Sequence, residues 1–143
     1  MPHATTTRIR EIGTVFVPVT DQDRALAYYV DTLGFEKRFE VSYGAGRWIE
    51  VAPPGSAHRI ALVPRSEGRA PTGVHTHCAF ETPDIDAEHA TLRARGADVS
   101  AIARSGTSRS GLFADDRVVS DATAPQFFVR DPDGNRFLIV QSS

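Results

Sequence analysis

The sequence lacks several features that would mark particular classes of protein. Its 143 residues include one cysteine, Cys78, which excludes an intramolecular disulfide and a cysteine-cluster metal site. No apolar run reaches the roughly 18 residues that a membrane-spanning helix needs. The first residues also lack the apolar stretch of a signal peptide. We therefore expect a cytoplasmic protein with no membrane partner.

An excess of charge of one sign is also missing. Lys and Arg number 16, Asp and Glu number 18, and the net charge is −2, so a basic surface for nucleic acid is not expected. The hydrophobic fraction is 41% and the charged fraction 24%, a balance typical of folded globular proteins. A chain of this length buries roughly 70% of its unfolded surface and needs no disulfides to fold.

The first half of the chain predicts one helix among short strands. The β-branched residues between Ile12 and Val19 favour a strand. Asp21 has the character of a helix N-cap, and Gly34 that of the glycine that ends a helix. Glycine- and proline-containing turns separate the strands that follow, a pattern typical of antiparallel hairpins. The strands predicted after the helix are residues 35–42, 47–52 and 58–63.

The second half repeats this pattern. Asp21 and Asp84 are 63 residues apart, and Gly34 and Gly96 are 62 apart. We predict a strand at 74–80, a helix at 84–95 and strands at 99–103, 126–130 and 136–140. A turn at 131–135 contains Pro, Asp and Gly, the residues that favour hairpin turns.

The repeat predicts one α+β domain built from two βαβββ modules. Their bounds are residues 9–64 and 74–143, and residues 65–73 form the linker. Each module alone is marginal for stability, so we expect the two to pair into a curved mixed sheet with a concave pocket and outer helices. Residues 105–125 are too long for a hairpin turn, and loops of this length are usually functional or disordered.

This organisation resembles the vicinal oxygen chelate superfamily. The resemblance rests on the paired modules, on Asp21 with Leu33-Gly34-Phe35, and on Asp131-Pro132-Asp133-Gly134 before a strand. The superfamily contains glyoxalases, extradiol dioxygenases, fosfomycin-resistance transferases and bleomycin-binding proteins. The resemblance implies a glyoxalase-like fold and a homodimer, but these turn and cap residues do not specify the reaction.

The resemblance also implies where a divalent metal would be bound. Enzymes of the superfamily place His, Glu or Gln at four strand positions inside the cup. Those positions fall on Thr14, Ala61, His77 and Leu138 here, so only His77 matches. A catalytic site of this kind needs about three protein ligands and an open position. We therefore expect a degenerate metal site and no cofactor.

Other residues offer a displaced ligand set or an apolar wall. His75 and His77 are two apart on a strand, so both side chains point to one face. Together with Glu50 they would supply two imidazoles and a carboxylate. Phe16, Trp48 and Phe128 would form stacking walls. The predicted pocket lining is Thr14, Phe16, Trp48, Glu50, Ala61, His75, His77, Phe128 and Leu138.

Two classes of function remain open from the sequence. The first is a small-molecule-binding protein of the resistance type, with an apolar cup and no metal. The second is a divalent-metal-dependent lyase, isomerase or dioxygenase whose ligands surround His77. In a third, metal-free form, His77 is the catalytic residue and acts as acid or base, because imidazole titrates near neutral pH.

Overall fold

The computed structural model describes residues 6–44, 46–65, 73–104 and 124–142. The predicted long loop falls mostly on residues 105–123 and the predicted linker mostly on residues 66–72, both outside this description. Within it, no helix is long and apolar enough to span a membrane. The elements are β1 (Thr14–Val19), α1 (Gln22–Ala27), a π-helical turn (Tyr28–Thr32), β2 (Glu36–Tyr43), β3 (Gly46–Ala52), β4 (Arg59–Pro64), β5 (His75–Thr82), α2 (Ile85–Ala94), β6 (Asp98–Val99), β7 (Gln126–Arg130) and β8 (Arg136–Gln141).

The strands form two four-stranded sheets with the same internal order. The first has the order β1-β4-β3-β2 and the second β5-β8-β7-β6. In each, the first strand pairs in parallel with the last strand of its half, and the other pairs are antiparallel. The α+β class and the internal repeat are therefore confirmed. The described strands of the two sheets are not hydrogen-bonded to each other, so β1 and β5 each form an edge.

The predicted helix caps and stops are present in both halves. The side chain of Asp21 accepts a hydrogen bond from the backbone N–H of Arg24, and that of Asp84 accepts one from Ala87, both at 3.0 Å. Gly34 has a φ of +80°, a left-handed conformation that costs other residues energy. The first helix differs from the prediction, because after Ala27 it widens into the π-helical turn.

Alternation along the strands separates a core face from an open face. In β1, Val17 and Val19 are fully buried, whereas Phe16, which precedes Val17, is 61% exposed. In β8, Phe137 and Ile139 belong to the main core, whereas Leu138 packs in a separate small cluster. The core face of each sheet is the one on the helix side. We call the other face of each sheet its open face.

Aromatic contacts join the two halves into one shared core. The rings of Tyr29 and Phe137 lie 6.0 Å apart and those of Phe35 and Phe80 lie 5.2 Å apart. Each of these pairs joins one half to the other through helix-side residues. Burying large apolar side chains together is worth about 1.5–3 kcal/mol each, so neither half is expected to be stable without the other.

Candidate functional site

A row of side chains crosses the open face of the first sheet. Strand register pairs Phe16 with Ala61, Ala61 with Glu50, and Glu50 with Phe39. Directly paired residues point to the same side of a sheet, so these four side chains lie next to one another. Ala61 is the small member of the row, between an aromatic ring and a carboxylate.

The carboxylate in this row is held by two donors. Trp48 Nε1 donates to Glu50 Oε2 at 2.7 Å, and an Arg59 guanidinium nitrogen contacts Glu50 Oε1 at 3.3 Å. Glu50 is only 9% exposed, and a buried carboxylate needs such partners. The Phe16 ring meets the Trp48 ring edge to face at 5.2 Å. The result is a rigid aromatic corner with a fixed carboxylate at its base.

Apolar side chains extend this surface towards the outer edge of the sheet. Phe39 is 50% exposed and Val41 is 47% exposed, and β2 pairs them with Glu50 and Trp48. Large exposed apolar side chains that are contiguous mark interaction or ligand sites more often than isolated ones do. The open face of the first sheet is therefore an apolar platform with one polar centre.

The open face of the second sheet carries a histidine pair. The rings of His75 and His77 stack at 4.2 Å with an interplanar angle of 9°, and His75 meets Phe128 edge to face at 5.4 Å. Burial, the neighbouring His77 and Arg136 lower the pKa of His75, since each disfavours a second positive charge there. The face thus combines aromatic surface with the imidazole of His75, whose lowered pKa favours its neutral form.

The backbone of His77 is strained. Its φ is +57°, a conformation that costs a residue with a Cβ roughly 1–2 kcal/mol. The pairing of β5 with β8 shifts register between His75 and Ala79, as in a β-bulge, and the His77 N–H donates to His75 Nδ1 at 3.1 Å. Bulges that re-aim a side chain occur often beside functional sites. The regular alternation of side chains along a strand therefore does not explain why the two imidazoles share a face. Their shared orientation depends on the bulge.

The structure divides the predicted pocket residues into two groups. Thr14, Phe16, Trp48, Glu50 and Ala61 are on strands of the first sheet, whereas His75, His77, Phe128 and Leu138 are on strands of the second. The side-chain contacts described above each lie within one of the two groups. Within one chain the described contacts thus give two half-sites.

Three contributors to the first open face were missed by the sequence reading. Arg59, Phe39 and Val41 were predicted only as parts of strands. The positions of Phe39 and Val41 follow from alternation along the strand, since these residues alternate with the charged residues Arg38 and Glu40. The signal was an apolar residue at every second position on a strand that otherwise reads as polar.

A divalent metal does not fit the residues at the expected ligand positions. Thr14 offers a hydroxyl, Ala61 and Leu138 offer no donor, and only His77 offers a ligand of the usual kind. Across the described part of the chain, no three His, Cys, Asp or Glu side chains come together as a metal-holding group. The displaced set of His75, His77 and Glu50 is not assembled by any described contact.

Comparison with known proteins identifies the family. The model of the Glyoxalase/Bleomycin resistance protein/Dioxygenase superfamily matches residues 11–139, and the chain belongs to this superfamily. Among solved structures it is similar to TnmS3, an antibiotic binding protein from Streptomyces sp. CB03234. The identity is 29%, the TM-score is 0.74, and the match covers 96% of this chain and 100% of that one.

Two further relatives cover nearly the whole chain. A superfamily member from Sphaerobacter thermophilus DSM 20745 is 30% identical with a TM-score of 0.73, over 94% of this chain and 98% of that one. The uncharacterized protein YetH of Bacillus subtilis (strain 168) is 26% identical over 134 residues, 93% of this chain and 99% of that protein. Full-length similarity of this kind indicates a shared fold, and function has to be argued from the site.

Proposed function

We propose that this protein binds a small, largely apolar aromatic molecule on its open faces and needs no metal to do so. The observation that carries the proposal is the aromatic corner of Phe16 and Trp48 over the fixed carboxylate of Glu50. Membership of a superfamily that includes bleomycin resistance proteins supports a binding role. So does the similarity to an antibiotic binding protein.

The corner favours a planar ligand with at least one hydrogen-bond donor. Aromatic pairs in edge or offset contact are worth about 0.5–1.5 kcal/mol beyond the area they bury. Glu50 already accepts from Trp48 and Arg59, but each carboxylate oxygen has capacity for a second bond. A ligand N–H or O–H that reaches Glu50 would be bound in one orientation, with its rings against Phe16 and Trp48.

We further propose that a second copy of the chain completes the site. The first half-site presents exposed Phe16, Phe39 and Val41 on one sheet, and the histidine half-site lies on the other sheet. A homodimer related by two-fold symmetry would place the first half-site of one chain against the second half-site of its partner, twice. Ligand would then lie between aromatic surfaces of both chains.

The test uses Trp48, the only tryptophan, as a fluorescent reporter. The probe is acridone, a planar aromatic molecule with one N–H donor. We expect saturable quenching of Trp48 by acridone and a Kd roughly 3- to 10-fold weaker in Phe16→Ala, from the loss of one aromatic contact. Ile9→Ala, an exposed apolar residue outside the half-sites, is the matched control and is expected to bind normally. Equal weakening in both variants, or no saturation in the wild type, would contradict the proposal.

The alternative is a divalent-metal-dependent lyase, isomerase or dioxygenase centred on His77. The observation that favours it is the strained His77 backbone beside His75, because strain of this kind clusters at active sites. Elemental analysis of protein purified without chelator or affinity tag separates the two functions. One equivalent of a divalent metal, lost in His77→Ala, would establish the enzyme hypothesis and refute metal-free binding.

A further inference from the structure

A cavity lies between the two halves, and its apolar walls come largely from helix-side residues. Its volume is about 530 Å³, within the range of about 300–1,000 Å³ that is typical of small-molecule sites. Helix-side residues of β1, β4 and β5 line it, chiefly Val15 and Ile60 on one wall and Cys78 and Phe80 on the other. We call this space the inter-module cleft.

The cleft exists because the edge strands β1 and β5 do not pair with each other. The described residues of β1 and β5 share no ladder hydrogen bond, so the two edges are not drawn together. Val15 and Cys78 occupy equivalent positions of the repeat, 63 residues apart, and both are only partly buried against the shared core. Small side chains at these two positions leave the gap unfilled.

The cleft continues into a neighbouring cavity. That space measures about 240 Å³ and lies beside Leu33, Phe35 and Leu92. Pro53, Phe80 and Glu81 line both spaces. The two spaces are therefore adjacent, and apolar side chains form most of the walls of both.

Polar groups are confined to a few places on the wall of the cleft. Ser56, His58 and Arg59 line it where β4 begins, and Glu81 lines it from β5. A few polar groups on an otherwise apolar wall are what orients a small ligand in its site. An uncharged ligand fits such a wall better than an ion does, because an ion would lose hydration along the apolar part.

We propose that the inter-module cleft is a second binding site, for an uncharged and mostly apolar small molecule. The ligand would lie between Val15 and Ile60 on one side and Cys78 and Phe80 on the other. Its single polar end would face Ser56, His58 and Arg59. The cleft shares Arg59 with the first half-site, but Phe16, Trp48 and Glu50 do not line it. A ligand can therefore bind in the cleft even if the aromatic corner binds nothing.

The test uses prodan, an uncharged naphthalene dye whose emission shifts in apolar surroundings, and the single thiol of Cys78 as a position marker. We expect saturable blue-shifted prodan fluorescence. We also expect saturating prodan to slow alkylation of Cys78 by N-ethylmaleimide at least about fivefold, because a bound molecule excludes the reagent. Burial already raises the pKa of the Cys78 thiol, so the reaction is followed at pH 8 by mass spectrometry.

A pair of variants separates filling of the cleft from loss of the thiol. Cys78→Phe adds a ring inside the cleft and is expected to weaken prodan binding at least about tenfold, because the ring fills space that the dye would occupy. Cys78→Val keeps the side-chain size and is expected to bind prodan as the wild type does. Circular dichroism and urea unfolding show whether each variant is folded. Prodan binding without protection of Cys78, or no saturable binding to the wild type, would overturn the proposal.

Discussion

Replacing Tyr29 by Phe removes one hydroxyl from the buried junction between the two halves. Tyr29 is fully buried, and its hydroxyl donates to Asp131 Oδ2 at 2.8 Å. The same oxygen accepts from Asn135 Nδ2 at 2.9 Å, and Oδ1 accepts from the backbone N–H groups of Asp133 and Asn135. Asn135 Nδ2 also donates to the carbonyl of Pro18. One carboxylate thus ties the second half to the first.

The expected cost follows from the charge of the acceptor. A hydrogen bond to a charged group contributes about 1.5–3 kcal/mol, so Tyr29→Phe is expected to lower the free energy of unfolding by about 2 kcal/mol at pH 7. Tyr28 donates to the neutral carbonyl of Arg130 at 2.9 Å, so Tyr28→Phe should cost only about 1 kcal/mol. Tyr43→Phe, at a partly buried strand end, is the near-neutral reference.

The cost of Tyr29→Phe should also depend on pH. Burial raises the pKa of Asp131 above its ordinary value of 3.8. The folded protein therefore binds this proton more readily than the unfolded chain, and ionised Asp131 is a net cost once the pH exceeds its folded pKa. Below that pKa the acceptor is neutral, and the cost of the variant should shrink towards about 1 kcal/mol.

The assay is equilibrium urea unfolding of the three variants and the wild type, at pH 7 and at a series of lower pH values. An unchanged m-value with a lower midpoint would show that the stability of the folded state changed. A loss below about 0.5 kcal/mol for Tyr29→Phe at pH 7, or an equal loss for Tyr28→Phe, would refute the charged-acceptor reasoning.

Three further predictions concern the caps and the histidine half-site. Gly34→Ala should destabilise the folded protein by about 1 kcal/mol because φ is +80° there. Gly13→Ala, with open space around its Cβ position, should be neutral. Urea unfolding compares the two variants, and equal effects would contradict this prediction. His77→Gly should be more stable than His77→Ala by roughly 1 kcal/mol, because glycine adopts a positive φ without the steric cost of a Cβ. Thermal unfolding compares the two variants, and a less stable glycine variant would refute the strain at this position. Because burial, His77 and Arg136 lower the pKa of His75 below 6.5, the unfolded chain binds that proton first, and stability should fall as the pH drops through 6.5. His75→Asn should flatten this dependence, and an unchanged slope between pH 7 and 5.5 would contradict it.

Much of the fold could be predicted because its signals are local. Asp21 and Asp84 cap helices, Gly34 and Gly96 end them, and the 63-residue offset predicts two similar halves. The π-helical turn at Tyr28–Thr32 could not be predicted, because it depends on the fit of Tyr28 and Tyr29 to partners about 100 residues away. Asp131 was predicted only as a turn residue, although it is buried in the junction between the halves.

The sequence predicts which residues share a face of a sheet, but not how the two faces are arranged. Alternation places Phe16, Trp48 and Glu50 on one face correctly, since strand period is a local property. The arrangement of the two open faces depends on how the two sheets pack. That packing depends on non-local contacts such as the one between Tyr29 and Phe137. The bulge at His77 is also non-local, because it arises in the pairing of β5 with β8.

The most direct test of the account is a mixing experiment on the two half-sites. Phe16→Ala with Trp48→Phe disables the first half-site, and His75→Ala with Phe128→Ala disables the second. Each variant alone is expected not to bind acridone, measured by calorimetry. Unfolded together and refolded as an equal mixture, they should recover about a quarter of the wild-type sites, because half of the dimers are mixed and each mixed dimer has one intact site. If the mixture recovers no binding while circular dichroism shows folded protein, the site does not form between chains.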